Sequence, residues 1–345
     1  MKSSPLYLII PGDLIVTALL ILTFCSGVSE SQPLLPEKTG VLLFNSGFEP
    51  GSRIVHGQDP FTSDDNIVGK DLSVSPPNDW VEDIKRSPNL GKFSLQYQGA
   101  DTTIRFTRII PEPGNPGNHV LHFRINEGWV NTKGSNLARI QANIYASSDK
   151  KVEGIKELYQ TVRLFLHPDM EVVKTYPEKI SWLTIMEVWN NHGWEDVPYP
   201  FRITVGMGKP SSGNQGLFFM VDAEDYNYRT ATTSSGYVKI WHEMNTSVTI
   251  PIGKWMTLEY FIKEGHAQNG RFYMAMTPEG GKKQVIFDIQ NFTHNTKDPD
   301  PDGITLWNPM KLYTSRTLAN FVRDEGKALQ IYYDDFAVWK DRVPE

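Results

Sequence analysis

Cysteine is nearly absent from this chain of 345 residues, in which Cys25 is the only thiol. A single cysteine cannot form a disulfide bond within the chain, and it cannot build a zinc site from several thiolates. If Cys25 is removed with an N-terminal signal, thiol catalysis is excluded as well. A chain of this length can bury a core that is large enough to be stable without disulfide bonds.

Concentrated positive charge is also absent. The chain carries 34 Lys and Arg against 40 Asp and Glu, which gives a formal net charge of −6, and both signs are dispersed along it. Proteins that bind nucleic acid gather basic residues on one face to meet the phosphates. No nucleic acid is therefore expected as a partner, and nothing in the composition implies a protein partner.

Long apolar runs are scarce, and the notable one covers residues 14–24. It has the length of a secretory signal and is short for a membrane-spanning helix. With Lys2 before it and small residues at 27–29 after it, the pattern predicts a signal peptide at residues 1–29. Residues 30–40 are predicted to be a linker. The mature protein is then expected to be secreted, periplasmic or held at the cell surface.

Two alternatives to a cleaved signal peptide remain open. Asp13, just before the apolar run, is unusual in a signal peptide and is compatible with an N-terminal anchor that is retained. Cys25 could instead be the acylated cysteine of a bacterial lipoprotein, although Phe24 does not match the small residue that such sites prefer.

Short alternating segments are abundant and are separated by Gly, Pro, Asn and Asp. This pattern predicts an all-β fold, an antiparallel β-sandwich, and residues 41–345 are predicted to form a single domain. Residues 111–118 are a candidate boundary that is equally typical of a hairpin loop. One short helix is predicted at residues 316–325. The predicted strands are Phe93–Tyr97, Thr103–Phe106, His119–Ile125, Ala138–Tyr145, Glu157–Phe165, Trp182–Trp189, Phe201–Val205, Leu217–Val221, Tyr237–Trp241, Trp255–Lys263, Arg271–Met276, Gln284–Ile289 and Leu329–Trp339.

The two ends of this region carry similar phrases, Val41–Gly51 at the start and Ile331–Trp339 at the end. Both are short apolar runs with acidic residues, and both are rich in β-branched or aromatic residues, which is typical of strands. The pair resembles the opening "F-E-x-G" and closing "D-D-F" strands of jelly-roll carbohydrate modules. That resemblance implies that the two strands lie close together in one closed β-sandwich made for extended sugar chains.

Three acidic residues in these end strands are candidate metal ligands. Glu49, Asp334 and Asp335 offer the hard oxygen ligands that calcium takes, with backbone carbonyls and water completing its shell. The resemblance to jelly-roll modules implies a structural calcium ion of this kind, which would stabilise the fold without taking part in catalysis. The alternative is that these acids face solvent or cap turns.

A polar row is predicted on the strand near residue 140. Because a strand alternates its faces, Arg139, Gln141 and Asn143 lie on one side and the apolar residues between them lie on the other. An arginine fork and two amides suit a groove that binds carboxylates. The alternative is an ordinary polar outer face.

A second candidate site is the strand at residues 182–189 and the loop that follows it. Glu187 and Trp189 share a face, whereas Asn190 and His192 sit near the strand end, where functional groups collect. His192 can take or give a proton near neutral pH. A lone histidine is more often structural than catalytic, so both interpretations stay open.

Late in the chain, Lys311, Tyr313 and Ser315 alternate onto one face. This segment resembles the "K-x-G-x-Y" strand of concanavalin-A-like polysaccharide lyases, except that Leu312 stands where those proteins have Gly. The strand at 255–263, with the "G-x-F-x-h-x-h" phrase that follows it, also resembles that group, but lyases, glucanases and lectins share these phrases. They are therefore stronger evidence for the fold than for the activity.

The resemblance implies a secreted lyase that cleaves a uronate-containing, acidic polysaccharide by β-elimination. Arg139, Gln141 or Asn143 would neutralise the uronate carboxylate, and Lys311 would stabilise the enolate. His192 or Tyr313 would remove the proton next to the carboxylate, and Tyr313 could protonate the leaving oxygen. Glu187, Trp189 and Asn190 are predicted to contact the substrate.

Two other functions remain open. A non-catalytic carbohydrate-binding protein would use the same groove without proton transfer. A glycosidase would use Glu187 with Asp222 or Glu224, although the "E-x-D-x-x-E" string of sandwich glucanases is missing. Asp222 and Glu224 would share a face at roughly 6.5–7 Å in a regular strand, near the short limit for an inverting pair. They are more typical of a turn beside Tyr226.

Overall fold

The computed structural model describes residues 40–57, 65–98, 103–130, 136–146, 154–191, 198–213, 216–226 and 236–345. The predicted signal peptide, most of the predicted linker and His192 lie outside these residues, so the predictions about them stay predictions. Among the described residues, no helix is long and apolar enough to cross a membrane.

Strands dominate the described residues, and the helices are few and short. The strands are β1 (Val41–Ser46), β2 (Arg53–Val55), β3 (Asn66–Val68), β4 (Lys70–Asp71), β5 (Asn78–Asp79), β6 (Lys92–Tyr97), β7 (Arg105–Glu112), β8 (Asn115–Ile125), β9 (Trp129–Val130), β10 (Asn136–Tyr145), β11 (Glu157–Leu166), β12 (Leu183–Asn190), β13 (Phe201–Gly208), β14 (Phe218–Tyr226), β15 (Tyr237–Asn245), β16 (Trp255–Lys263), β17 (Arg271–Pro278), β18 (Gln284–Gln290), β19 (Leu306–Asn308), β20 (Lys311–Ser315) and β21 (Leu329–Lys340). The helices are α1 (Glu82–Arg86), α2 (Arg316–Asp324) and a 3-10 helix at Pro168–Thr175.

Two large antiparallel sheets contain most of these strands. Sheet I has the order β18-β17-β16-β11-β21-β8-β7, and β1 also pairs with β21. Sheet II runs β15-β14-β13-β12, continues through β19 and β20, which both lie between β12 and β10, and ends with β6 and β9 on β10. Two small ribbons, β2-β3 and β4-β5, complete the described strands.

Alternation along the strands explains how the sheets pack. In β10 the apolar Ile140, Ala142 and Ile144 are fully buried, and they join one hydrophobic cluster that extends from Phe44 to Val338 and draws on strands of both sheets. Burying one face of each sheet against the other is how a β-sandwich excludes apolar area from water. The predicted all-β sandwich is confirmed.

The first and last strands are hydrogen-bonded neighbours, as the end phrases predict. β1 pairs with β21 in a register that places Ser46 opposite Phe336. Trp80 stacks on Phe48 and Phe336 at ring-centroid distances of 5.4 and 5.3 Å, and its indole nitrogen donates to Ser46 Oγ at 3.0 Å. Aromatic packing and the hydrogen bond of the indole therefore hold the two ends of the fold together.

Three local expectations can be compared with the structure. Residues 111–118 form the β7–β8 hairpin, with Gly114 at a φ of +88° where a side chain would be strained. The predicted helix is α2, and Ser315 caps it by accepting a hydrogen bond from Leu318 N at 3.2 Å. The prediction of a turn at residues 222–225 is wrong, because β14 continues to Tyr226 and these residues pair with strands on both sides.

Candidate functional site

A cavity of about 540 Å³ opens on the face of sheet II that points away from the core. It extends across β12, β13, β14, β15 and β20, and we call it the groove. Its main polar and aromatic lining side chains are Trp182, Thr184, Glu187, Arg202, Thr204, Asp222, Glu224, Tyr237, Lys239 and Tyr313.

Strand register brings these distant residues together. Trp189 of β12 lies opposite Arg202 of β13, and Arg202 lies opposite Glu224 of β14. On the other side, β20 pairs with both β10 and β12, so Tyr313 lies opposite Arg139 and Thr184. Since residues two apart on a strand share a face, the groove collects alternate residues from five strands.

A buried ion-pair network lies beneath the groove. Lys311 Nζ contacts Glu187 Oε2, and these two side chains are only 2% and 4% exposed. Arg202 Nη1 donates to Glu187 Oε1 at 3.3 Å, and Arg202 Nε donates to Glu224 Oε2 at 2.8 Å. Two carboxylates and two cations therefore share one chain of charge-assisted hydrogen bonds.

Burial and charge act in opposite directions on this network. Burial alone would raise the pKa of Glu187, but the neighbouring charges of Lys311 and Arg202 bring it below its ordinary value. Burial lowers the pKa of Lys311, with Glu187 opposing that shift. Glu187 is therefore ionised at neutral pH and is a poor proton donor.

Tyr313 stands over this network with its ring in the groove. The Lys311 ammonium lies 5.0 Å and the Arg139 guanidinium 5.6 Å from the centre of its ring, and the Trp182 ring meets it edge-on at 4.6 Å. Burial raises the pKa of Tyr313, and the charge of Arg139 opposes that shift. The phenol is therefore protonated at neutral pH and can donate a proton or a hydrogen bond.

A second tyrosine lines the opposite side of the groove. The Arg202 guanidinium lies 3.6 Å from the centre of the Tyr237 ring, and the Tyr226 ring lies at 4.5 Å. Burial raises the pKa of Tyr237, and Arg202 opposes the shift. Sequence reasoning missed Tyr237, Arg202 and Lys239, although the alternation along β13 and β15 places all three on the polar face.

Gln141 and Asn143 are buried supports for Lys311. Gln141 Nε2 donates to Asn143 Oδ1 at 2.9 Å, and Asn308 Nδ2 donates to the same oxygen at 2.6 Å. Lys311 Nζ then donates to Asn308 Oδ1 at 3.1 Å. Because Gln141 and Asn143 are 4% and 1% exposed, the structure places them behind the groove, where they orient the lysine.

The remaining predicted contacts fall on two sides of β12. Trp189 shares the face of Glu187 but is buried, and the Arg202 guanidinium lies 5.6 Å from its ring centre. The Asn190 amide, by contrast, contacts Glu264, whose carboxylate also accepts a hydrogen bond from Gly303 N at 2.7 Å. Asn190 therefore ties the strand end to a neighbouring loop and does not join the groove.

The three predicted calcium ligands do not act as one group. Asp334 Oδ2 accepts hydrogen bonds from Arg163 at 3.0 Å and Asn118 at 2.8 Å. In the part of the chain that the structure describes, no three His, Cys, Asp or Glu side chains are gathered to hold a metal.

Two of these acids lie near each other beside Gly47. A Cβ built on Gly47 would lie 3.7 Å from both Asp335 Oδ1 and Glu49 Cγ, and 3.2 Å from Ser73 Oγ. These two acids remain the candidates for a calcium ion with backbone oxygens, because Asp334 is already paired with an arginine. The calcium ion stays a prediction, and no catalytic step below depends on it.

Comparison with known proteins finds similar folds only. Neither a protein-family model nor a curated protein matches this chain. Among solved structures it is similar to an endo-β-1,4-glucuronan lyase from the fungus Trichoderma reesei, with 15% identity, a TM-score of 0.41, and coverage of 68% of this chain and 87% of the other. A marine alginate lyase from Aplysia kurodai gives 9% identity, a TM-score of 0.38, and coverage of 68% and 87%.

An alginate lyase variant in complex with an alginate tetrasaccharide is similar over more of the chain. It is 14% identical, with a TM-score of 0.40, and the match covers 86% of this chain and all of that one. The polysaccharide lyases that the strand phrases resemble are thus among the solved structures of similar fold. Similarity at this level concerns the fold and says nothing about the reaction.

Proposed function

We propose that this protein is a polysaccharide lyase that cleaves a uronate-containing glycan by β-elimination in the groove. The observation that carries the proposal is the position of the Tyr313 phenol in the groove, beside the buried Lys311–Glu187–Arg202 network. Perturbed ionisable groups that share one cavity are typical of catalytic sites.

The chemistry divides into three tasks. A base removes the proton from the carbon next to the uronate carboxylate, and the electrons form a double bond as the neighbouring glycosidic C–O bond breaks. The leaving oxygen then takes a proton. Arg139 and Lys311 are cations beside Tyr313 that can stabilise the charge developing on the carboxylate.

Tyr313 suits the last of these tasks. Because its phenol is protonated at neutral pH, it can donate to the leaving oxygen as a general acid. The base is proposed to be His192, which lies outside the described residues. Arg202 and Tyr237 close the far side of the groove, where the neighbouring sugar of the chain would lie.

The same contacts argue against a glycosidase. A pair of catalytic carboxyl groups needs one member that keeps its proton at working pH. Glu187 has a lowered pKa, Glu224 is paired with Arg202 at 2.7 Å, and Asp222 contacts Lys239. Each of these three carboxylates is already paired with a cation, whereas β-elimination needs no proton from any of them.

A non-catalytic sugar-binding surface is also less well supported. Burying Lys311 and Glu187 removes two charges from water at a cost that the pair regains only in part. Binding proteins can use exposed aromatic and amide groups, which avoid that cost. Fixed charges directly under a groove tyrosine are better explained by a role in stabilising a charge that develops on the substrate during the reaction.

One assay separates these functions. The protein is incubated with alginate, glucuronan, ulvan, pectin and heparin-like chains, while ultraviolet absorbance and reducing ends are both followed. Elimination forms a conjugated double bond that absorbs, hydrolysis forms reducing ends without absorbance, and binding alone forms neither. Absorbance on one polymer, lost in Tyr313→Phe, is the expected result. Reducing ends without absorbance would contradict the proposal and favour a hydrolase.

Export belongs to the same proposal, since polymers of this size lie outside the cell. We expect the chain to be cleaved after residue 29 and released or held at the surface. Determining the N-terminus of the exported protein checks this. An N-terminus at Met1 in the exported protein would favour a retained anchor.

A further inference from the structure

A second cavity, of about 320 Å³, lies away from the groove, between the β2 ribbon and β7. β7 is the last strand of sheet I in the pairing order, whereas the groove belongs to sheet II. Four nitrogen-rich side chains line this cavity, which we call the edge pocket: Arg53, His56, Arg108 and His119. Pro50 and Ile54 add apolar surface to its wall.

The two arginines of the edge pocket have no carboxylate partner among the described residues. In the described part of the chain, neither Arg53 nor Arg108 makes an ion pair with a carboxylate, although the protein as a whole has an excess of acids. The Arg108 guanidinium lies 4.1 Å from the centre of the Phe106 ring, which holds its plane without neutralising it. Two exposed guanidinium groups in one concave site attract an anion.

The histidines add directed hydrogen-bonding groups to the same wall. His56 Nδ1 lies 2.8 Å from Asp65 Oδ2, and His119 Nδ1 lies 3.3 Å from Glu49 Oε2. Each carboxylate fixes one ring nitrogen and so fixes the direction of the ring. The second nitrogen of each ring makes no hydrogen bond with another described residue and is available to a ligand.

We propose that the edge pocket binds an anionic sugar unit of an acidic polysaccharide, through its carboxylate or sulfate group. A guanidinium fork can donate two parallel hydrogen bonds to a pair of oxygens in either group, and the apolar wall suits the C–H face of a sugar ring. The pocket would act as an accessory site, holding the polymer on an edge of the sandwich other than the groove. This inference concerns binding alone and does not require that the groove performs elimination.

The test is retardation in native gels that contain alginate, pectate, glucuronan or heparin, with dextran as the neutral control. All variants are made in the Tyr313→Phe background, so that no polymer is degraded during the run. Arg53→Ala/Arg108→Ala is expected to weaken binding to the retarding polymer roughly tenfold, the scale for losing charge-assisted hydrogen bonds. Dextran should retard neither protein.

A matched control distinguishes the loss of a specific site from the loss of two positive charges in general. Arg86→Ala/Arg323→Ala removes the same number of positive charges, one from an exposed and one from a half-buried position, and these arginines are already paired with Glu82 and Glu127. This control should change binding less than twofold. Equal weakening in both double variants, or weakening in neither, would overturn the proposal.

Two further arms complete the test. Arg53→Gln/Arg108→Gln, with its melting temperature measured, replaces the alanine variant if that variant does not fold. Sodium sulfate alone is added to the parent protein as a small-anion probe. A parent that sulfate stabilises but that no anionic polymer retards would show a site for a free ion and would overturn the polysaccharide proposal.

Discussion

At the scale of single residues, the site depends on a few side chains whose surroundings reinforce their ordinary charge. A free tyrosine is protonated and a free glutamate is ionised at neutral pH. Burial raises the pKa of Tyr313 further, and the charges of Lys311 and Arg202 lower the pKa of Glu187 although burial opposes them. The strands that meet at the groove therefore set how firmly each group holds its state.

The first prediction concerns the proton donor. Tyr313→Phe should lower kcat roughly 10²-fold or more, since the ring remains but the general acid is lost. Initial rates from ultraviolet absorbance, with KM measured separately, check this. Tyr237→Phe is the matched control from the same groove and should lose less than tenfold. An equal loss in both variants would contradict the assignment of Tyr313 as the acid.

The second prediction concerns the buried pair. Glu187→Gln leaves Lys311 buried without its carboxylate, so the free energy of unfolding should fall by about 3–5 kcal/mol. Denaturant unfolding measures it. Glu157→Gln removes a partly exposed partner of Lys263, 3.0 Å away, and should cost less than about 1 kcal/mol. Equal costs would contradict the inference that the Lys311–Glu187 pair is buried and charged.

At the scale of elements, ion pairs also link the strands of sheet I. Asp334 of β21 accepts hydrogen bonds from Arg163 of β11 and Asn118 of β8, and it is 1% exposed. Burial raises the pKa of Asp334 to about 6, with Asn118 and Arg163 opposing the shift. A carboxylate at the centre of three strands is therefore close to titrating in the folded protein.

The third prediction is the resulting pH dependence. Because the pKa of Asp334 is higher in the folded state than its ordinary 3.8, the folded state binds the proton more tightly. This contribution to stability is full below about pH 4 and is lost as pH rises through about 6. Between pH 4 and pH 7, the free energy of unfolding of the wild type should therefore fall by about 2 kcal/mol more than that of Asp334→Asn. Denaturant unfolding at both pH values checks this, with Asp288→Asn as an exposed control.

At the scale of the whole molecule, the sandwich is closed by joining its ends. β1 lies on β21, and Trp80 packs against aromatic residues that follow or belong to both strands. Glu49 and Asp335 flank Gly47 at this junction. A cation bound there would link the two ends of the chain.

The fourth prediction tests that link. If calcium binds between Glu49 and Asp335, a chelator should lower the melting temperature by several degrees and added calcium should restore it. Asp335→Asn should remove this response, whereas Asp334→Asn should keep it because Arg163 already neutralises Asp334. A melt that neither chelator nor calcium changes would rule the ion out.

The face that each polar side chain takes could be predicted from the sequence, but its burial could not. Alternation alone places Arg139 and Lys311 on the outer faces of their strands, because a strand has a period of two. It cannot tell Gln141, which is buried behind the groove, from an exposed amide, because burial depends on what neighbouring strands cover.

The sequence by itself determined the class of fold and most of the strands, because local alternation and turn residues specify these features. The closeness of the chain ends was predicted from the resemblance of the end phrases to jelly-roll modules, and the pairing of β1 with β21 agrees with it. Only the tertiary structure decided which polar residues meet. Arg202 reaches Glu187 and Tyr237 through the register of separate strands. The pKa shift of each group then follows from burial and from partners distant in sequence, which no local pattern encodes.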